Sequence, residues 1–173
     1  MQIIKKQAEG IKMNGENTGK SITCCFSGHR KIPCGFAGEL EYRLSCVLES
    51  LVMRGFRYFV NGGALGYDTM AALLVLDMKK KYPDIRLIME LPCGDQDKYW
   101  RPNDKSVYAR ILSEADEVVC ISKHYYNGCM HDRNRRMIDR SSVCVCYLTE
   151  EKGGTYYTVM KAHKSGLEII NLA

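Results

Sequence analysis

The chain has 173 residues, of which 46% are hydrophobic and 26% are charged. This length fits one ordinary domain with its own core, and the composition excludes a largely disordered or collagen-like chain. Lys and Arg number 25 against 20 Asp and Glu, so the net charge is +5, which favours an anionic ligand over a surface that coats nucleic acid.

Residues 1–20 are polar and rich in Gly, Asn and Lys, and they predict a tail or a loosely docked arm ahead of a single domain at 21–173. After that segment, short apolar runs alternate with stretches of helical spacing. The predicted strands are 22–26, 56–60, 85–91, 117–121, 143–148 and 168–172; the predicted helices are 38–54, 68–81, 105–114, 130–140 and 155–165. This alternation predicts a three-layer, Rossmann-like α/β fold with a mostly parallel sheet of about six strands, whose ligands bind beyond the carboxyl ends of the strands.

The first residues contain no apolar run of the secretory type, and no stretch approaches the roughly 18–20 apolar residues of a membrane span. We therefore expect a cytoplasmic protein with no membrane partner and with reduced thiols. The nine cysteines include no Cys-x-x-Cys pair, and Cys129 with His131 lacks a second pair of ligands, so no metal site is expected. Most cysteines fall in predicted strands and helices as small core residues, which leaves Cys93 and Cys129 as candidate reactive thiols.

The loop after the first predicted strand contains Ser27, Gly28, His29 and Arg30, followed by Lys31. Gly28 lets a ligand approach the backbone, and the neighbouring hydroxyl, imidazole and guanidinium groups suit a phosphate or a carboxylate. The alternative is a turn with a solvated basic patch. Its position at a strand end favours a binding role.

The loop after the second predicted strand carries Gly62, Gly63 and Gly66 and leads into a helix. Such a turn presents free backbone N–H groups to an anion. It matches neither the dinucleotide fingerprint nor the Walker A loop, and Asn61 stands where an acidic residue would hold a ribose, so an ordinary NAD dehydrogenase or P-loop NTPase is not predicted. Asp68 is either a ligand contact or the N-cap of the helix.

Glu90 ends the third predicted strand, and Trp100 lies in the polar loop that follows. A carboxylate at that position binds a ribose hydroxyl, acts as a base, or pairs with Arg30 in a purely structural role. Trp100 either stacks on a base or packs against the core.

The predicted helix 130–140 carries Arg133 and Asn134. Asn134 falls on the face that should be buried, and a buried amide needs partners, so it either braces a neighbouring loop or meets a ligand. Arg133 beside it would hold a phosphate, whereas Arg135 and Arg136 are expected to have structural roles in a salt-bridged face.

Gly153, Gly154 and Thr155 follow the fifth predicted strand and enter the last predicted helix. They form a second glycine turn, which predicts another phosphate cradle; the alternative is a plain turn with Thr155 as N-cap.

These motifs, taken in order, resemble the YpsA-like branch of the SLOG superfamily over residues 21–172. The resemblance implies a Rossmann-like fold related to the Lonely Guy phosphoribohydrolases and to the DNA-processing protein DprA. It also implies a sensor or regulator that binds a nucleotide-derived ligand, and, because related folds dimerise, a homodimer. On this likeness the ligand pocket comprises Gly62, Gly63, Gly66, Arg133, Asn134, Gly154 and Thr155.

Two departures from the wider superfamily concern catalysis. Lonely Guy enzymes carry a Glu about one turn after their Gly-Thr motif, and Thr158 stands in that place here. In the wider superfamily a Ser-Asp pair commonly follows the Arg-Asn helix. This chain has Ser141-Ser142 there, so the acidic residue is missing. The main catalytic carboxylate of those hydrolases is therefore absent.

Three functional hypotheses follow. The leading one is a cytoplasmic sensor or regulator that binds a nucleotide-like, phosphate-bearing small molecule, with no cofactor assigned beyond such a ligand. The second is a hydrolase that cleaves a nucleotide or N-glycosidic bond, with Glu90 or Asp68 as base and His29 as acid. The third is DNA binding in the manner of DprA, which the modest net charge disfavours.

Overall fold

A six-stranded parallel sheet forms the centre of residues 19–173, the part of the chain that the computed structural model describes. Its strands are β1 (Thr23–Gly28), β2 (Tyr58–Asn61), β3 (Arg86–Leu91), β4 (Glu117–Cys120), β5 (Val143–Tyr147) and β6 (Glu168–Asn171). The helices that connect them are α1 (Ala37–Met53), α2 (Tyr67–Met78), α3 (Pro102–Glu114), α4 (Cys129–Asp139) and α5 (Gly153–Lys164).

The strand order is β4-β3-β2-β1-β5-β6, so β1 pairs with β2 on one side and with β5 on the other. Cys25 of β1 aligns with Val60 of β2 and with Cys144 of β5. The order therefore reverses at β1 and β5, and the crevice beyond their carboxyl ends is where open α/β sheets bind ligands.

The helices cover the sheet in two separate layers. Cys24 and Phe26 of β1 belong to the core beneath α1, α2 and α3, whereas Cys25, between them, belongs to the core beneath α4 and α5. This division follows from the alternation of side chains along a strand. It gives the three-layer architecture, and the Rossmann-like fold expected from the sequence is confirmed.

The element boundaries shift by a few residues from the sequence-based ones. Helix α3 begins at Pro102 rather than at residue 105, because proline fits the first helical turn, where its missing N–H is not needed. Helix α2 ends at Met78, so the lysines at 79–81 follow the helix instead of forming its last turn.

Residues 1–18 of the tail predicted at 1–20 lie outside the described residues. From Lys20 to Ile22 the chain forms a short 3-10 turn that leads into β1. No helix within 19–173 is both long and apolar enough to cross a membrane.

Candidate ligand-binding cleft

A polar cleft of ≈ 380 Å³ opens beyond the carboxyl ends of β1 and β5, at the reversal of strand order. Nine of the residues singled out in the sequence line it: Ser27, Gly28, His29, Arg30, Asp68, Arg133, Asn134, Gly154 and Thr155. They come from four separate loops or helix starts, which the parallel sheet brings to one edge.

The loop after β1 contributes one free cation to the lining of the cleft, as far as the described residues show. Arg30 is exposed, and its side chain makes no hydrogen bond or ion pair with the described residues. His29, by contrast, is engaged: its Nε2 accepts the Thr149 N–H at 3.1 Å, and its ring packs edge-on against Tyr147. Because that nitrogen acts as an acceptor, it carries no proton to donate in this arrangement. Arg30 is therefore the side chain best placed to meet an anion.

The first glycine turn, residues 61–68, uses its own polar groups internally. Asn61 Oδ1 accepts the Gly63 N–H at 2.8 Å, and Asp68 Oδ2 accepts the Ala64 N–H at 3.2 Å. Asn61 Nδ2 donates to the Asp68 carbonyl at 2.8 Å. The Gly62 carbonyl accepts a hydrogen bond from Nη1 of Arg133. The Gly63 and Ala64 amides are thus already occupied by side chains of the turn itself, and the turn forms one wall of the cleft.

Arg133 and Asp68 form the buried electrostatic centre of that wall. Arg133 is 6% exposed and Asp68 is 5% exposed. Burial raises the pKa of Asp68 from 3.8 to about 6, although the positive charge of Arg133, the Ala64 N–H and the charge of Arg30 oppose the rise. Burial lowers the pKa of Arg133, while the charge of Asp68 counteracts this effect. Arg133 Nε also donates to Asn134 Oδ1 at 2.6 Å, so two of its nitrogens hold protein atoms rather than a ligand.

The second glycine turn, residues 151–155, is open to solvent at the start of α5. The N-cap Lys152 makes no side-chain capping bond, and the first turn of α5 contains no acidic residue. The first N–H groups of a helix have no partner within it. Since Gly154 and Thr155 line the cleft, this helix end directs unpaired donors and a positive dipole into it.

Asn134 connects α4 to this second turn. Its Nδ2 donates to Thr158 Oγ1 at 2.7 Å, and the Thr158 hydroxyl donates to the Gly154 carbonyl at 2.8 Å. Thr155 Oγ1 donates to the Gly28 carbonyl at 3.1 Å, which ties α5 to the end of β1. Of the two roles left open for Asn134, the structure shows the bracing one.

Glu90 lies apart from the cleft, contrary to the expectation of a strand-end base. Its carboxylate is fully buried and pairs with Arg140 Nη1 at 2.5 Å and with Arg136 Nε at 3.3 Å. Alternation along β3 explains this placement, because Glu90 projects to the same side as Ile88, beneath α4. Its partners are these two arginines rather than Arg30.

Trp100 and four glycines also lie outside the residues that line the cleft. The Trp100 ring packs edge-on against Tyr108 at 5.0 Å and lies partly buried beside the core, so its position matches the packing alternative. Gly66 lines a separate groove between α2 and α3. Gly62, Gly63 and Gly153 are not in the cleft lining, although the two glycine turns that contain them form its walls.

The cleft includes four residues that sequence reasoning did not select: Phe26, Ala64, Met130 and Thr158. Thr158 lies one helical turn after Gly154 and Thr155, so its helical spacing was a usable signal. Met130 lies one turn before Arg133 and offered the same signal. Phe26 and Ala64 carry no polar group that would have marked them.

Neither candidate thiol lines the cleft, and Cys93 and Cys129 are both buried. Burial and a hydrogen bond to Asp95 raise the pKa of Cys93 to about 12, so this thiol stays protonated and unreactive at neutral pH. Within residues 19–173, no group of three or more His, Cys, Asp or Glu side chains is arranged to hold a metal ion.

The fold and the cleft define a Rossmann-like α/β domain with a polar crevice at its strand-order reversal. The YpsA model, described as the YspA SLOG family, matches residues 37–169. The chain belongs to this family, which confirms the resemblance seen in the sequence. It is 34% identical over 142 residues to the uncharacterized SPbeta prophage-derived protein YoqJ of Bacillus subtilis, covering 75% of this chain and 83% of that protein. It is 32% identical over 150 residues to a UPF0398 protein of Bacillus cereus, covering 81% and 82% respectively.

Solved structures agree with this placement at the level of the fold. DNA processing protein A (DprA) from Streptococcus pneumoniae superposes with a TM-score of 0.65 and 17% identity, covering 87% of this chain and 50% of that one. DprA from Helicobacter pylori, described for its single-stranded DNA binding mode, gives a TM-score of 0.61 and 20% identity, covering 88% and 65%. The chain thus spans half to about two thirds of these proteins.

Proposed function

We propose that this protein binds a nucleotide-derived, phosphate-bearing small molecule in the cleft and acts as a sensor or regulator. The observation that carries the proposal is the pairing, in one cleft, of Arg30, whose side chain has no partner among residues 19–173, with the uncapped N-terminus of α5. A guanidinium and a set of helix N–H groups together form a strong anion site, because both donate charge-assisted hydrogen bonds to phosphate.

The volume of the cleft supports a small molecule. At ≈ 380 Å³ it lies within the range of about 300–1,000 Å³ typical of small-molecule sites. Its lining is mostly polar, which suits a phosphate and a ribose, with Phe26 and Met130 as the larger apolar contacts.

The test is calorimetric titration with ADP-ribose, NAD and nucleoside diphosphates. We expect at least one to bind, and we expect Arg30→Ala to weaken that binding by about tenfold to a hundredfold, because one charge-assisted contact contributes about 1.5–3 kcal/mol. Lys31→Ala is the matched control, since it removes the same charge from the next residue, which does not line the cleft. Absence of binding by every compound, or equal losses in the two variants, would refute the proposal.

The same samples test hydrolysis. Chromatography of nucleoside monophosphates after incubation would reveal cleavage, and Asp68 is the acidic side chain that the cleft offers as a base. Turnover that disappears in Asp68→Asn but persists in Glu90→Gln would make the protein an enzyme instead of a binding protein.

Single-stranded DNA is a second candidate ligand, favoured by a strip of exposed residues on the same sheet edge. The loops after β3 and β4 present Lys98, Tyr99, Lys123 and Tyr125 to solvent, with Tyr99 88% exposed and Tyr125 61% exposed. These loops are joined, because Asp95 Oδ1 accepts the Tyr125 N–H at 3.0 Å. Cations interleaved with exposed aromatic rings suit a strand whose bases stack, and this strip arises only when two distant loops meet.

Fluorescence anisotropy with a labelled oligothymidine distinguishes the two ligands. Binding that weakens steeply with salt and is lost in the double variant Tyr99→Ala, Tyr125→Ala would establish the DNA function. Anisotropy that stays at the free-oligonucleotide value at low salt would exclude it and leave the small-molecule proposal unaffected.

A further inference from the structure

Two buried side chains of the cleft, Asp68 and Arg133, each keep one polar atom free. Neither residue is more than 6% exposed. Asp68 Oδ2 accepts the Ala64 N–H, whereas Asp68 Oδ1 has no hydrogen-bond partner among the described residues. Arg133 donates from Nε to Asn134 and from Nη1 to Gly62, and its Nη2 has no partner in the same part of the chain. Both free atoms remain accessible, and both residues line the cleft, so a bound molecule can reach them.

The two side chains are neighbours, but they are not bonded to each other. A Cβ built on Gly62 would overlap the guanidinium of Arg133 and lie 3.0 Å from Asp68 Oδ2, so both side chains approach the same point. No ion pair joins them within residues 19–173. Each charge nevertheless acts on the other, as the opposing effects on their pKa values show. The wall of the cleft therefore presents an unpaired acceptor beside an unpaired donor.

The chemistry of the two groups restricts what can bind there. A carboxylate only accepts hydrogen bonds, and a guanidinium only donates them. A phosphate would suit Arg133 but would be repelled by the charge of Asp68. An apolar group would leave both buried charges without partners, which is costly. The complementary ligand group carries a donor and an acceptor on adjacent atoms, as two vicinal hydroxyls do.

The position of the pair relative to Arg30 indicates which part of a nucleotide meets it. The charge of Arg30 influences the pKa values of both Asp68 and Arg133, so all three side chains lie within electrostatic range of one another. Arg30 is the cation to which we assign the phosphate. In a nucleotide, the ring that carries the phosphate also carries the vicinal hydroxyls, whereas the base is attached one bond further along. The sugar is therefore the part of the ligand nearest to a phosphate bound at Arg30.

We propose that Asp68 and Arg133 bind the vicinal hydroxyls of the ligand's ribose, and that the cleft thereby selects ribonucleotides over their deoxy counterparts. This inference rests on the proposed function. Asp68 Oδ1 accepts from one hydroxyl, and Arg133 Nη2 donates to the neighbouring one. A deoxy sugar would cover the carboxylate without supplying a donor, and a site built to hydrogen-bond a hydroxyl rejects an analogue that lacks it. Of the residues that line the cleft, Asp68 alone is acidic, so the selection depends on this one carboxylate.

Calorimetric titration of the full chain at neutral pH tests the inference with matched pairs of ligands. The probes are ADP, GDP, CDP and UDP, each compared with its 2′,3′-dideoxy counterpart. These pairs keep the base and both phosphates and differ only in the two hydroxyls. We expect the dideoxy compound to bind about tenfold to a hundredfold more weakly than the ribonucleotide, because the carboxylate loses its donor.

The variant Asp68→Asn assigns this preference to the carboxylate. Asparagine keeps an oxygen for the Ala64 N–H, so the turn should fold, but it replaces the free charged acceptor with an amide NH2 group. The ratio of ribonucleotide to dideoxynucleotide affinity should therefore fall to about threefold or less. Asp104→Asn is the matched control, since it makes the same change outside the lining of the cleft and should leave the ratio unaltered.

The outcomes separate this inference from the proposed function. If the dideoxy compounds bind as tightly as the ribonucleotides, or if their weaker binding persists in Asp68→Asn, the inference is overturned while nucleotide binding stands. The same holds if ADP-ribose or NAD binds and no ribonucleoside diphosphate does. If no compound binds at all, both the inference and the proposed function fail.

Discussion

The two glycine turns at the edge of the sheet have similar sequences and opposite properties. In the first turn, an added Cβ on Gly62 would overlap the guanidinium of the buried Arg133 and would force it to move. In the second turn, a Cβ on Gly154 would meet no atom within 4 Å. The first turn is closed by protein groups and the second is open to a ligand.

This contrast shows that a glycine-rich turn before a helix does not by itself define an anion site. What matters is whether side chains of the protein already occupy the amide donors. Neither helix has a side-chain cap among the described residues, but Asn61 and Asp68 accept the Gly63 and Ala64 N–H groups of the first turn, and no corresponding side chain does so in the second. The first turn therefore acts as a fixed wall, and we assign anion binding to the second.

Replacement of Arg133 should break the closed turn most severely. Arg133→Met leaves the Gly62 carbonyl without its donor and removes the positive charge nearest to the buried Asp68, so we expect a loss of about 4 kcal/mol in the free energy of unfolding. Urea denaturation measures it. Arg135→Met, an exposed change on the same helix, should alter stability by about 0.5 kcal/mol or less. Equal losses in the two variants would contradict the closed-wall interpretation.

The pH dependence of stability tests the electrostatics of the same turn. Because the folded state raises the pKa of Asp68 from 3.8 to about 6, it binds more protons than the unfolded state within that window. The free energy of unfolding should therefore fall as pH rises from 3.8 to about 6, by about 3 kcal/mol from this one group. Asp68→Asn keeps the acceptor for the Ala64 N–H and should remove this fall, leaving a variant more stable than the original at pH 7.

Urea denaturation at pH 4, 5, 6 and 7 compares the two proteins. A wild-type curve with the same slope as that of Asp68→Asn would show that Asp68 titrates as an ordinary surface carboxylate.

Replacing one glycine of each turn with alanine compares the two turns directly. Gly66 has φ +79, and an added Cβ would overlap the Arg30 carbonyl, so Gly66→Ala should cost about 2 kcal/mol in the free energy of unfolding. Gly154→Ala should leave stability unchanged or raise it by up to about 1 kcal/mol, because alanine favours the helix. The added methyl group should nevertheless weaken ligand binding, since Gly154 lines the cleft.

Thermal unfolding and calorimetric titration of both variants provide the measurements. The expected result is loss of stability in the first turn and loss of affinity in the second. The reverse pattern would exchange the roles of the two turns.

The smallest expected effect concerns the support of the open turn. Thr158→Val removes the hydroxyl that links Asn134 to the Gly154 carbonyl and should lower the free energy of unfolding by about 1 kcal/mol. Thr158→Ser retains the hydroxyl and should recover most of the loss. If serine and valine behave alike in urea denaturation, packing of the methyl group rather than the hydrogen bonds accounts for the role of Thr158.

Sequence patterns predicted the fold well because each element has a strong local signal. The apolar runs of β1 and β5 read as buried parallel strands, and alternation with helices left a three-layer sheet as the consistent arrangement. Local spacing could not decide which side of the sheet Glu90 faces, since this depends on the register of β3. The same holds for Trp100, whose packing partner Tyr108 lies in the next helix.

By itself, the sequence determined the class of fold, the family and the loops from which a site would be built. Strand–helix alternation and loop positions follow from local chemistry, which a sequence displays directly. Only the tertiary structure decided that Arg133 braces a buried turn, that Arg30 remains the free cation of the described cleft, and that Glu90 pairs with Arg136 and Arg140. These outcomes depend on which side chains occupy each donor, acceptor and surface, and that competition is settled only when distant parts of the chain pack together.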